Sequence, residues 1–152
     1  MEEYIVTSIG FGLVVSLLFS ELFGIAAGGM VVPGYFALFL DQPLTIMMTL
    51  VVAYISYAIV KTLSSFMIIY GRRRTVLMII TGFMLGMTLR HFSSSFVNHT
   101  DLELNVIGYI VPGLIAIWID RQGLLETISV LSIASVIVRL GLILINGGDL
   151  LP

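Results

Sequence analysis

Three cations, Lys61, Arg90 and Arg139, and one acid, Glu21, stand in or beside long apolar runs of this sequence. A charge at the centre of a membrane helix costs about 2.5–3.5 kcal/mol on insertion scales, so each such residue calls for a partner or a ligand. One reading makes Lys61 and Arg139 a pair of basic groups facing an anionic ligand or polymer. The other has them neutralised by Glu21, Asp41, Asp120 or Glu126, or snorkelling to an interface. Glu21, Asp41 and Asp120 are therefore candidates for acids buried beside these cations. Asp41 and Asp120 each close a short apolar segment, where an acid most often caps the next helix or faces water. Arg72, Arg73 and Arg74 form a separate run that suits a topology determinant, an anionic lipid contact or a partner-docking face.

No catalytic constellation is legible. His91 and His99 lack the spacing of a zinc-binding helical pair, and no carboxylate motif accompanies them. Ser93 to Ser95 lie near both histidines, in what reads as a polar loop, without a nucleophile-elbow pattern. Gly10-Phe11-Gly12 is followed by no strand, lysine or third glycine and cannot cradle a phosphate. Asn98-His99-Thr100 has only the form of a glycosylation acceptor. No catalytic residue, metal or cofactor is expected on this chain.

The elements that must position the cations are announced by an internal repeat. Gly29, Val32, Pro33, Gly34, Ala37 and Asp41 recur at a constant offset as Gly108, Val111, Pro112, Gly113, Ala116 and Asp120. Lys61 and Arg139 occupy nearly equivalent places in the same two halves. A weaker match pairs Ile9-Gly10-Phe11 with Thr81-Gly82-Phe83. Paired Pro/Gly-interrupted segments in an apolar chain point to a membrane protein of two repeats, with its site framed by the breaks. In each break Pro and Gly suit a type II turn. Pro33, Gly34, Pro112 and Gly113 would then open backbone groups toward a polar cavity, the only place where irregular backbone is tolerated at membrane depth. A packing kink or the turn of a helical hairpin is the competing reading. Gly82 and Gly86 fit a small-residue helix contact.

With 59% hydrophobic and 11% charged residues and a mean hydropathy of +1.12, the chain has too few polar side chains to cover a soluble surface; soluble domains carry about 25% charged residues. An all-α integral membrane protein is expected, one transmembrane domain over residues 1–152. The net charge of −2 offers no basic surface for nucleic acid. Cysteine is absent, so disulfide and thiol chemistry are excluded. The start, Met-Glu-Glu-Tyr, lacks the positive region of a cleaved signal peptide, and the first apolar run reads as a retained helix.

Six apolar segments follow, three per repeat: Tyr4 to Phe23, Gly28 to Leu40 and Leu44 to about Tyr70, then Thr75 to Leu89, Val106 to Ile119 and Leu124 to Ile145. Repeat one covers about 4–70 and repeat two about 75–145. The Val-Pro-Gly segments are shorter than the roughly 20 residues a helix needs to span a bilayer core. The arginine run is expected in the cytoplasm, because Lys- and Arg-rich short loops stay inside. The acidic loop with Asp101 and Glu103 then lies outside. If all three segments of a repeat cross, the N-terminus is outside and the repeats are inverted; if the Val-Pro-Gly segments re-enter, both termini are inside and the repeats are parallel. The acidic start favours the inverted arrangement.

Several stretches together carry a resemblance. They are Leu17-Leu18-Phe19-Ser20-Glu21 with Gly24-Ile25, the run Gly28 to Tyr35, Asp41-Gln42-Pro43, Tyr70 to Arg74, Ile80-Thr81-Gly82, Ile107 to Leu114 and Gln122-Gly123-Leu124. In this order they resemble the PgsC/CapC family, the small membrane subunit of bacterial poly-γ-glutamate synthesis. The resemblance runs from Gly12 to the middle of the last segment and fades in the Ser93–Asn105 loop and the tail. It implies a multi-pass protein of the bacterial cytoplasmic membrane and a non-catalytic subunit of an ATP-dependent synthase. The implied partners are a cytoplasmic Mur-ligase-like poly-γ-glutamate ligase, which would hold the ATP and Mg, a surface-facing accessory subunit, membrane lipid and further copies of the chain. The polymer is a polyanion, for which Lys61, Arg90, Arg121 and Arg139 are the available cations, while Arg72 to Arg74 would dock the ligase. A pure membrane anchor or scaffold for the ligase, and an independent small secondary transporter, are the alternatives.

Overall fold

The computed structural model describes residues 2–96 and 107–147. Among these residues there are six helices and no strand: α1 (Glu2–Phe23), α2 (Val32–Leu38), α3 (Pro43–Phe66), α4 (Arg72–Phe96), α5 (Val111–Gln122) and α6 (Leu124–Ile145). Four of them, α1, α3, α4 and α6, are long and apolar enough to cross a membrane. Exposed Leu17, Leu18, Leu22, Leu140 and Leu144 give these helices an outer surface suited to lipid.

Local chemistry sets most helix ends. Glu2 and Glu3 lie in the first turn of α1 and Glu126 in that of α6, where the helix dipole favours negative charge. Pro43 starts α3 and Pro33 lies in the first turn of α2, positions that need no proline N–H. The same preference corrects the turn expected at Val-Pro-Gly. Pro33-Gly34 and Pro112-Gly113 are helical, as the first turns of α2 and α5, and neither Gly34 nor Gly113 has the positive φ of a type II turn. Gly71 does take a left-handed conformation, at φ +62°, and from it α4 begins at Arg72. The three arginines thus form a helical first turn instead of a loop.

The other end of α4 also differs from expectation. The helix runs through Ser93 to Ser95. Ser94 Oγ and Ser95 Oγ donate to the His91 carbonyl at 2.7 and 3.2 Å, so the polar run is absorbed by bonds back into the helix. His99, the Asn98-His99-Thr100 pattern, Asp101 and Glu103 lie outside the described residues.

The chain forms two compact units, residues 1–41 with 122–152 and residues 42–121. The first therefore contains α1, α2 and α6, and the second α3, α4 and α5. The third helix of each half of the sequence is packed with the first two of the other half.

In the first unit Ser8 Oγ donates to the Gly34 carbonyl at 2.8 Å, while Ser16 Oγ, two turns on, donates to Gly29 at 3.2 Å. The stretch leading into α2 thus doubles back along α1. Helix α6 runs beside α2 in the same direction, with Leu131 at Gly28 and Arg139 at Ala37. Its core is built from small residues, Ala27, Ala37 and Ala134 with Val15, Val138 and Leu142. Small side chains let helices approach closely where lipid supplies no hydrophobic drive.

The second unit repeats this plan. Gly113 of α5 meets Ile79 and Gly82 of α4, and Asp120 meets Arg74, so α5 doubles back along α4. Helix α3 runs with α5: Thr49 Oγ1 accepts the Ile107 N–H at 3.0 Å, and Val60 packs with Met78, Ala116 and Ile117. The buried positions Thr49, Ala53, Ser56 and Val60 of α3 match Thr127, Leu131, Ala134 and Val138 of α6 in spacing. Lys61 and Arg139 each follow the last valine of these series. A Cβ on Gly12 would lie 2.7 Å from the backbone of Gly34, and one on Gly82 would lie 2.5 Å from that of Gly113. The counterpart of Gly82 is therefore Gly12, not the Gly10 of the sequence match, around which there is open space.

Candidate functional site

Each unit places a cation from one of these helices beside the aspartate that ends its Val-Pro-Gly segment. In the first unit, Arg139 Nη2 donates to Asp41 Oδ1 and Oδ2 at 2.6 and 2.7 Å, and Nη1 donates to the Ala37 carbonyl at 3.2 Å. The Arg139 side chain is 12% exposed and that of Asp41 67%. The guanidinium thus satisfies a carbonyl at the end of α2, where positive charge suits the helix dipole, and a carboxylate just beyond it. Asp41 caps no helix: Gln42 precedes α3, and its Oε1 accepts from Thr45 Oγ1 at 3.2 Å. Glu21 is exposed on the last turn of α1, so it does not serve as a buried counterion.

Pro33 and Gly34 are buried against α1, and the Gly34 carbonyl is taken by Ser8. Pro112 and Gly113 are likewise buried, against α4. The backbone at these positions is consumed by packing, which corrects the expectation that it opens toward a polar cavity. Of the glycine pair on α4, Gly82 makes the close contact, while a Cβ on Gly86 would meet only the Tyr109 carbonyl, at 3.9 Å.

The second unit gathers more charge. Arg74 Nη2 pairs with Asp120 Oδ1, with both side chains about three-quarters buried. Asp120, inside α5, thus pairs with Arg74 of α4, and Gly123 is the residue that precedes α6. Arg74 Nε is buried without a hydrogen-bond partner. A cavity of about 180 Å³ at this pair is lined by Gly71, Arg74, Thr75, Asp120 and Arg121. Beside it, one of about 510 Å³ is lined by Gly71, Arg72, Thr75, Val76 and Arg121. Arg121, expected in a polymer path, and Arg72, expected in a docking face, therefore share one cavity. The Arg121 guanidinium lies 5.5 Å from the centre of the Trp118 ring.

Lys61 is placed differently from its counterpart Arg139. Its Nζ donates to the Tyr57 hydroxyl at 3.0 Å and lies 5.3 Å from that ring. Asp120 is within electrostatic reach, but its carboxylate is held by Arg74. Arg90 lies towards the other end of α4, where Nη1 donates to the Tyr109 hydroxyl at 2.6 Å over a cavity lined also by Met87, Thr88, His91 and Phe92. Within the second unit Arg90 stands apart from Arg121, and Arg139 belongs to the first unit.

Sequence reasoning passed over Tyr57, Trp118, Tyr109, Thr49 and Gln122. Tyr57 precedes Lys61 by one helical turn and Trp118 stands three residues before Arg121, so helical spacing signals both contacts. The Gln122 side chain accepts from the Ala26 N–H at 3.2 Å and donates to the Ala26 carbonyl at 2.6 Å. No local pattern announces that long-range pairing. Among the described residues, no three acids or histidines gather as metal ligands. The chemistry on offer is ion pairing and anion binding by guanidinium and ammonium groups.

Comparison with known proteins agrees with the resemblance in the sequence. Residues 11–128 match the family described as Capsule biosynthesis CapC. The PGA biosynthesis protein CapC of Bacillus subtilis (strain 168) is 46% identical over 117 residues, covering 76% of this chain and 78% of that protein. The Capsule biosynthesis protein CapC of Bacillus anthracis is 43% identical over 118 residues, covering 77% and 78%. No solved structure matches. The chain belongs to the CapC family.

Proposed function

We propose that this CapC-family chain is the membrane subunit of a bacterial complex that makes and exports poly-γ-glutamate, taken as the PGA of the Bacillus subtilis relative's name. The observation that carries the reading is the match over residues 11–128 to proteins named for PGA and capsule biosynthesis. The chain is a non-catalytic subunit, and the ATP and Mg of polymerisation belong to a cytoplasmic Mur-ligase-like partner. It sits in the cytoplasmic membrane with its arginine run inside, as expected for a basic stretch between helices. The doubling back of α2 along α1 and of α5 along α4 supports three passes per half, and an odd number of passes inverts the second half relative to the first.

The polymer carries one free α-carboxylate per residue, and bare charge in hydrocarbon is prohibitive, so export needs a lined path. Arg139 and Arg74 are committed to Asp41 and Asp120. Among the path candidates this leaves Lys61, Arg90 and Arg121 as guides for the polymer, since Lys61 and Arg90 hold only tyrosine hydroxyls. Arg72 and Arg73 remain for the ligase, and other copies or the surface-facing subunit complete the path. A second reading, a scaffold that activates the ligase by contact alone, is favoured by the two locked arginines.

The test is ATP-dependent incorporation of labelled glutamate into polymer by membranes holding the candidate ligase, with and without this chain. Polymer formed only with both is expected. Equal synthesis without the chain would remove it from polymerisation.

A further inference from the structure

The cavity between the start of α4 and the end of α5 has a charge that the locked pairs do not use. Arg74 is spent on Asp120, yet Arg72 and Arg121 line the same space of about 510 Å³, and neither has an acidic partner among the described residues. Two guanidinium groups from different helices, with Thr75 lining the same cavity, suit a compact multidentate anion.

The surroundings decide which anion. Trp118 lies under the Arg121 guanidinium at 5.5 Å, and tryptophan favours the headgroup level of a bilayer. Just before Gly71, the connection from α3 exposes Ile68 at 85%, following an equally bare Phe66 at 90%. In the membrane these apolar side chains are covered by lipid, so an anion carried by a lipid is the one held next to the arginines. A phospholipid satisfies both, with its phosphate at Arg72 and Arg121 and its acyl chains on Phe66 and Ile68. Basic pockets at the cytoplasmic ends of membrane helices recognise anionic headgroups in this way. The geometry points to a binding site for the phosphate of an anionic glycerophospholipid at Arg72, Thr75 and Arg121. This inference needs only the membrane setting, and it gives to a lipid phosphate the Arg121 and Arg72 that the proposed function offers to the polymer and the ligase.

The full chain, purified in a neutral detergent and offered phosphatidylglycerol or phosphatidylcholine, would be followed by native mass spectrometry. Selective retention of phosphatidylglycerol is expected. It should weaken about tenfold or more in Arg72→Gln/Arg121→Gln, since each basic residue near a lipid surface contributes about 1 kcal/mol. The Arg72→Lys/Arg121→Lys variant, with its charges kept, should hold an intermediate amount, and Arg90→Gln should bind normally. All variants are compared at equal size-exclusion profiles, which separates lost binding from misfolding. Equal retention of both lipids, unchanged retention in the glutamine pair, or equal loss in Arg90→Gln would overturn the proposal. So would displacement of the lipid by soluble glutamate oligomers at concentrations where glycerol phosphate has no effect, which would assign the cavity to the polymer.

Discussion

Arg139 grips Asp41 through both carboxylate oxygens, at 2.6 and 2.7 Å, and in the same fork reaches the Ala37 carbonyl at 3.2 Å. One side chain of α6 thereby fixes the end of the shortest helix, α2, which has seven residues to hold itself. Asp41→Asn would leave a largely buried guanidinium facing neutral acceptors. The expected cost is about 1.5–3 kcal/mol, the range for hydrogen bonds to charged groups. It should fall short of a fully buried pair, because Asp41 is mostly exposed. Arg139→Lys should also destabilise, since an ammonium cannot bridge the three acceptors. Thermal melts of the purified protein in detergent test both, and unchanged melting would show that the clasp is not structural.

The two glycine contacts give a second test. Alanine at Gly12 or Gly82 would push a methyl to within 2.7 or 2.5 Å of the facing glycine's backbone. Backbone cannot step aside as a side chain can, so each substitution should cost about 1–3 kcal/mol or more through overpacking. Gly10→Ala is the control. It adds a methyl in open space within α1 and should be neutral or stabilising by up to about 1 kcal/mol. The fraction remaining monodisperse after heating reads out all three. Equal behaviour of Gly10→Ala and Gly12→Ala would refute the close approach.

These glycines also show what the sequence could and could not convey. All six apolar segments are helices, because their composition and end signals are local. The Val-Pro-Gly motif was misread as a turn since proline and glycine fit a turn and a first helical turn equally well; packing on α1 and α4 decides between them. The exchange of third helices between the two units is invisible in the sequence, because α3 and α6 bear the same buried pattern and either could serve either half. The fate of the cations followed from that exchange. Arg139 found Asp41 from the far end of the chain, while Arg74, in the first turn of α4, took Asp120.

Thr49 carries a third prediction. Its hydroxyl donates to the Thr45 carbonyl at 2.7 Å and accepts the buried Ile107 N–H at 3.0 Å, holding the chain just before α5 against α3. Thr49→Val keeps the shape and strands that N–H, at a cost of about 1–3 kcal/mol. Thr49→Ser keeps the acceptor and should cost less. Hydrogen exchange at the Ile107 amide should accelerate in the valine variant alone, and equal protection in both would dismiss the bond.

Lys61 separates guidance of the polymer from scaffolding. It matches Arg139 in position, yet Asp120, the acid within its electrostatic reach, is held by Arg74, so its ammonium keeps only the Tyr57 hydroxyl at 3.0 Å. If Lys61 meets the carboxylates of a passing polymer, Lys61→Gln removes a charge-assisted bond at each encounter. Such bonds are stronger than neutral ones, so export per molecule of membrane-resident protein should fall severalfold, with melting unchanged. Lys61→Arg should retain most export. Arg139→Lys should act oppositely, lowering the amount of folded protein while leaving export per folded molecule near normal, because its charge is already taken. Polymer outside the cells, divided by the protein in the membrane, measures both. Full export from Lys61→Gln would withdraw Lys61 from the path and leave contact with the ligase as the chain's contribution.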